Sequence, residues 1–223
     1  MSTTIIVSYD NTDNDRDALA LGKLLAEAGA SLALAYVRHS QESDERLEEL
    51  AQNEAEELLL EGARLLGDLD VPRHVVLSAS TGEGLLALAK ELDAAAIVFG
   101  SEYRTAPGHV QPGTSALRLL EGGTVAVGIA PSRLRQHAAL RTTTIGVVGE
   151  DGDPSARDTA DSLAGRLGAS VTTRSSEDVD LLVIGSQPSA PSGTVRLSAV
   201  AQYLIETVLC PVLVVPRGTP LRL

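Results

Sequence analysis

The chain has 223 residues and a formal charge of -12, with 30 acidic residues against 18 basic ones. That balance excludes nucleic acid and anionic membrane as main partners, because both need a basic face, and it fits a soluble, self-repelling surface. Apolar residues make up 43% and aromatics only 2%, so any core must be built from Val, Leu, Ile and Ala, and no run reaches the roughly 18 apolar residues of a membrane span.

Residues 4–9 form a short β-branched run that stops at Asp10-Asn11, which predicts a buried strand ending in a polar turn. Residues 13–28 carry Leu19, Leu21, Leu24 and Leu25 at helical spacing, with Gly29 as the C-cap. A second strand follows at 31–37. A long helix at 43–66 sets a Glu-rich face (Glu45, Glu48, Glu49, Glu54, Glu56, Glu57) against a Leu face (Leu47, Leu50, Leu58, Leu65). The acidic stripe reads as solvated, since its carboxylates surround no His. A strand at 73–79, a helix at 83–92, a strand at 95–100, a glycine-containing loop to Gly113, a helix at 114–120 and a strand at 124–129 complete the first half. Strands that alternate with helices imply parallel pairing through right-handed crossovers. Their near-continuous apolar runs imply a sheet covered on both faces. The first half is thus expected to be a doubly wound five-stranded α/β domain.

Residues 131–141 contain Pro, three Arg and a His, and read as a linker. The pattern then restarts: a strand at 144–148, a helix at 155–167 closed by Gly168, a short strand at 170–173, a strand at 180–185, a helix near 195–208 and a strand at 211–215. The stretch 96–101 (AIVFGS) corresponds to 181–186 (LLVIGS), and 124–131 (TVAVGIAP) to 210–216 (CPVLVVP). The long helix, third strand and third helix have no second counterpart. The expectation is a complete unit at 1–132 followed by a cut-down copy at 141–218, with the two fifth strands paired edge to edge as an internal pseudo-dimer. Cys210 alone cannot form an internal disulfide, and it reads as a buried, inert thiol. The first residues lack a basic n-region and a long apolar stretch, so cytoplasm is the default.

The most informative segment is Gly100-Ser101-Glu102-Tyr103, nine further residues, then Gly113-Thr114. A glycine-bearing loop between a strand and a helix N-terminus is a natural anion site, because free backbone N–H groups and the helix dipole favour negative charge. Thr114 and Ser115 offer hydroxyls. In a 3-2-1-4-5 sheet the order switches between the first and fourth strands, where ligands of open α/β sheets sit. Tyr9, Tyr36, Phe99 and Tyr103 all fall near the carboxyl ends of strands there, which fits either a pocket for a flat ligand or a simple plug of the sheet end. Residues of this type also fit a plain loop cap.

At these positions the sequence resembles the universal stress protein family. That family carries an aspartate after its first strand and a Gly-x-x-Gly, nine residues, Gly-Ser/Thr motif after its fourth. Asp10, Gly100, Gly113 and Thr114 match, and Tyr103 stands in place of the second glycine. The resemblance covers nearly the whole chain and implies the adenine-nucleotide alpha-hydrolase-like fold. It also implies a site for ATP, with possible accompanying Mg: Ser8, Tyr9 and Asp10 edging the adenosine, Val37 near the base, and Gly100, Ser101, Gly113, Thr114 and Ser115 at the phosphates. Tyr103 replaces a glycine that permits close backbone approach, and Arg104 is placed to act as a phosphate clamp. The second half carries Pro188 and Ser198-Ala199 at the matching places, and no nucleotide is expected there. His39, His74, His109 and His137 pair with no nucleophile motif, and no metal spacing is present. Three readings follow: a cytoplasmic stress-response regulator holding an adenine nucleotide, a weak nucleotide hydrolase or transferase, and a ligand-free protein that acts through its surface, each compatible with a higher homo-oligomer.

Overall fold

The computed structural model describes residues 3–136, 142–149, 152–173 and 179–223. The first unit runs β1 (Thr4–Ser8), α1 (Asp13–Glu27), β2 (Ser31–Arg38), α2 (Glu45–Leu66), β3 (Arg73–Leu77), α3 (Thr81–Glu91), β4 (Ala96–Gly100), α4 (Thr114–Leu120) and β5 (Ala126–Ala130). The second runs β6 (Thr144–Val148), α5 (Ser155–Leu167), β7 (Ser170–Thr172), β8 (Leu181–Gly185), α6 (Ala199–Thr207) and β9 (Val212–Val215).

Local chemistry sets these bounds. Thr12 and Asp15 form a reciprocal capping box that starts α1. Asp44 caps α2 by accepting from the Arg46 and Leu47 N–H groups, and Gly67 ends that helix in the left-handed conformation. All nine strands join one sheet in the order β3-β2-β1-β4-β5-β9-β8-β6-β7. The 3-2-1-4-5 order of the first unit is the expected one. Within each unit the pairs are parallel, and at the seam β5 and β9 run antiparallel, with Val127 opposite Val214 and Ile129 opposite Val212. The two fifth strands therefore cover each other's edges.

One face of the sheet is packed by α1, α2 and α5, and the other by α3, α4 and α6. The core is aliphatic, as the composition requires. Cys210 is buried in it, and burial pushes its thiol up to about 12. No helix among the described residues is long and apolar enough to cross a membrane.

Two expectations change. Leu47 and Leu50 of α2 are exposed, at 52% and 54%, as is Leu65. The side of α2 that meets the sheet is instead Ala55, Leu59, Gly62 and Ala63. The first turns of α2 overhang the carboxyl ends of the strands, where there is no sheet for their leucines to meet. They are held by Arg38, whose guanidinium donates to both Glu48 carboxylate oxygens at 2.9 and 2.8 Å. The second change concerns the segment read as a linker. Its first part is built into the fold: Ser132 and Leu134 are buried, and residues Leu134–Gln136 form a 3-10 turn. The rest, 137–141 with His137, lies outside the described residues.

The cause is Asp17, a fully buried carboxylate on the inner side of α1. It accepts from the Arg133 N–H at 2.7 Å, the Arg135 N–H at 3.0 Å and the Arg135 guanidinium at 3.1 Å. The second unit repeats the device with a hydroxyl. Buried Thr159 of α5 accepts the Leu221 N–H at 2.9 Å, so the segment after β9 is held as the segment after β5 is.

Asp17→Ala leaves two backbone N–H groups and a guanidinium without their acceptor in a buried place, and it should cost about 3–5 kcal/mol in urea denaturation. Removal of residues 140–223 uncovers β5 as an apolar edge. The remaining first unit should elute as a dimer or aggregate in size-exclusion chromatography, and a well-behaved monomer would count against the seam as the edge's cover.

Candidate functional site

The loop from β4 to α4 is fixed by the chain itself. Gly100 ends β4 against the first turn of α1: a Cβ there would penetrate the Asn14 carbonyl. The Asn14 amide then donates to the Ser101 carbonyl at 2.7 Å. Buried Ser101 donates its hydroxyl to the Ala130 carbonyl at 2.7 Å and accepts the Gln111 N–H at 3.2 Å. The Gly108 N–H donates to the Ser132 carbonyl, and the Glu102 N–H to the Gln111 carbonyl, each at 2.8 Å. Gly100 thus serves helix packing, and Ser101 is a latch across the loop, not an outward-facing donor.

The second unit builds the same loop 85 residues later. Ser186 donates to the Val215 carbonyl at 2.8 Å and accepts the Arg196 N–H at 3.2 Å. The Gly193 N–H donates to the Arg217 carbonyl at 2.7 Å, and the Gln187 N–H to the Arg196 carbonyl at 2.8 Å. Gly108 and Gly193 share a positive φ, 82° and 76°. Sequence comparison sees Pro188 and Ser198 and finds a lost motif, whereas the backbone path is retained in full.

The two loops differ at the helix they lead into. In the second unit Ser198 caps α6 by accepting the Ala201 N–H at 3.2 Å. In the first unit Gly113 supplies no side-chain cap to α4. Glu102 stands beside it instead: one carboxylate oxygen accepts the Tyr103 N–H at 2.9 Å, and the other lies 3.0 Å from where a Gly113 Cβ would be. A carboxylate belonging to the chain therefore sits at the mouth where an incoming anion would meet the loop. Thr114 is exposed and Ser115 half-buried. Tyr103 is 75% exposed, and the Arg104 guanidinium lies 5.4 Å from its ring centroid. Arg104 adopts φ of 72°, left-handed for a non-glycine residue.

The far side of the crevice is the end of β1. Ser8 is half-buried, Asp10 exposed and Val37 buried against α3. Tyr9 does not edge the crevice. Its ring is 1% exposed, rests against Gly62 of α2, and its hydroxyl donates to the Asn11 side chain at 2.8 Å. The four aromatics do not converge on one pocket: Tyr9 and Tyr36 pack with α1 and α2, Phe99 packs on the opposite sheet face, and Tyr103 points to solvent. Tyr9, Tyr36 and Phe99 plug the sheet end.

Beside Asp10 is Asp15, whose carboxylate oxygen accepts the Asp10 N–H, the Thr12 N–H and the Thr12 hydroxyl. Burial, followed by the hydrogen-bonded and like-charged Asp10 carboxyl, pushes Asp15 up to about 8. Asn14, Asp15, Asp17 and Glu102 were missed as functional positions by motif reading. Asp17 had a signal, since it falls on the same helical stripe as Leu21 and Leu24. His39 and His109 are exposed and His74 half-buried on the edge strand β3, and no group of three or more metal-binding side chains forms among the described residues. A cavity of about 850 Å³ opens at the opposite ends of the strands, lined by residues including Thr4, Lys90, Thr124 and Leu221, away from every residue of the predicted site.

A doubly wound α/β unit with a switch-point loop, joined through its fifth strand to a shortened copy, defines the class of protein. The chain belongs to the universal stress protein family, whose model matches residues 1–131 and 168–216. Among solved structures it is similar to a universal stress protein from Archaeoglobus fulgidus, with 15% identity, 98% of this chain and 100% of that chain covered, and a TM-score of 0.72. It is also similar to a functionally unknown protein from Pseudomonas aeruginosa, with 14% identity, 97% and 93% covered, and a TM-score of 0.59. No curated protein matches it.

Because Asp15 is raised when folded, the stability it contributes is full below about pH 4, falls as pH rises, and is gone above about pH 8. Asp15→Asn keeps an acceptor oxygen for the capping box and removes the titration. Its stability should fall less than the parent's between pH 5 and pH 8 in denaturant titrations, and parallel profiles would show that Asp15 does not hold the proton.

Proposed function

We propose that this family member is a stress-response regulator whose first unit is closed to nucleotide and which acts through its protein surface. The Glu102 carboxylate beside Gly113 carries the reading. A phosphate brought to the α4 N-terminus would meet this charge at close range, in a loop already held shut by Asn14 and Ser101. Tyr103 in place of a glycine adds a side chain at the same mouth.

A second reading has one observation in its favour: α4 begins without a side-chain cap, beside an exposed Thr114. In that reading ATP, with Mg, would place its phosphates at Gly113, Thr114 and Ser115 and its adenosine along Ser8, Asp10 and Val37, and Glu102 would swing out. Neither reading assigns a general base or nucleophile for hydrolysis.

Isothermal titration with ATP and Mg separates the two. The parent protein should give no saturable heat at millimolar nucleotide, and Glu102→Gly/Tyr103→Gly should gain binding. Micromolar binding by the parent would overturn the closed reading.

A further inference from the structure

The latches at Ser101 and Ser186 set 96–133 in register with 181–218 at a constant offset of 85 residues. Most residues that the two stretches share have a visible structural reason. Val98 and Val183, Ala116 and Ala201, and Val127 and Val212 are buried. Gly108 and Gly193 take a positive φ. Glu121 and Glu206 differ from these, as the one identical pair that is exposed in both units. Neither carboxylate has a hydrogen-bond or ion-pair partner among the described residues. Each stands at a helix C-terminus, Glu121 as the C-cap of α4 and Glu206 in the last turn of α6. Free carbonyl groups already concentrate negative charge there, so an acid is electrostatically unfavourable and a cation is favoured.

The seam brings both acids to one groove. Because β5 and β9 run antiparallel, the helices that precede them run in opposite directions. The Val195 N–H donates to the Gly123 carbonyl at 2.8 Å, so the C-terminus of α4 meets the second loop. The C-terminus of α6 meets the first loop, where a Cβ on Gly108 would be 3.9 Å from the Leu209 side chain. Between the two helices lies a cavity of about 510 Å³, whose apolar lining is Pro112, Leu117, Leu120, Leu197 and Ile205. Glu121 and Glu206 both line it, and Arg196 of the second loop is the only other ionisable residue that does. The first loop has the neutral Gln111 at the place of Arg196. The groove is therefore net negative, in a chain of net charge -12. It lies on the side of α6 away from β6 and β7, with α4 and α6 as its two walls.

We propose that this groove binds a linear aliphatic diamine, with one ammonium at Glu121, the other at Glu206 and the methylene chain along the leucines. Cavities of this size, apolar with a few placed polar groups, are the usual form of small-molecule sites. A metal ion would find no third ligand, since no group of three or more metal-binding side chains forms among the described residues. A monoamine would leave one of the two carboxylates unpaired. Arg196 opposes the ammonium at the Glu121 end, so Glu206 is the stronger of the two anchors. The site is independent of whether nucleotide enters the first unit.

Isothermal titration of the full chain with linear diaminoalkanes, from diaminobutane to diaminodecane, is the test. Saturable binding is expected, strongest at one chain length. Glu121→Gln and Glu206→Gln should each weaken it about tenfold. The monoaminoalkane of the same length should bind the parent about tenfold more weakly than the diamine, and Arg196→Gln should tighten the diamine. These side chains are exposed and unpartnered, so each variant should keep the circular dichroism of the parent. No saturable heat at millimolar diamine would overturn the site. Unchanged affinity in Glu121→Gln/Glu206→Gln would also overturn it, since that variant is still strongly acidic and keeps any nonspecific attraction. Equal affinity of the parent for the monoamine would do the same.

Discussion

The antiparallel pairing of β5 with β9 is the constraint on which the rest depends. Each unit ends its sheet on an apolar strand buried on both faces, and such a strand cannot be left as an edge without inviting association. Pairing Val127 with Val214 and Ile129 with Val212 resolves both edges at once. It places α4 and α6 on one face of the sheet and α1 and α5 on the other. It also explains why the second unit can lose three elements and remain folded: the lost elements lie on the outer side, while β8, α6 and β9 form the part that meets the first unit.

The same geometry accounts for the anchoring of both segments that leave the seam. After β5 the chain turns back over α1 and is caught by Asp17. After β9 it turns back over α5 and is caught by Thr159, then by Ser162, which accepts the Leu223 N–H at 3.1 Å. A carboxylate serves where two N–H groups and a guanidinium converge, and a hydroxyl suffices for a single N–H.

Strand and helix order, the 3-2-1-4-5 sheet and the seam were legible because they follow from hydrophobic period and from repetition, which are local or pairwise in sequence. The α2 leucines misled because periodicity shows which residues share a face, not whether a sheet lies opposite; the overhang past Arg38 depends on helix length relative to strand length. The tyrosines misled in a related way, since adjacency at strand ends says nothing of which sheet face each ring takes. The course of the loop was legible and its internal contacts were not. Gly100 and Gly113-Thr114 mark where the loop leaves β4 and enters α4, but the contacts of Asn14 with Ser101 and of Glu102 beside Gly113 appear only when α1 and α4 are brought to the loop. The second loop shows the converse limit: residue identities changed at Pro188 and Ser198 while the two serine latch bonds, to the carbonyl at the end of the last strand and from the Arg196 N–H, were kept.

An assembly of two identical subunits about a two-fold axis presents each of its surfaces twice. Here the two halves are joined in one chain and are unequal, so the overhanging α2 and the edge strand β3 each occur once per chain. The pairing of halves does not weaken on dilution, because it is intramolecular. Whatever meets one of these surfaces therefore finds a single copy of it on each chain.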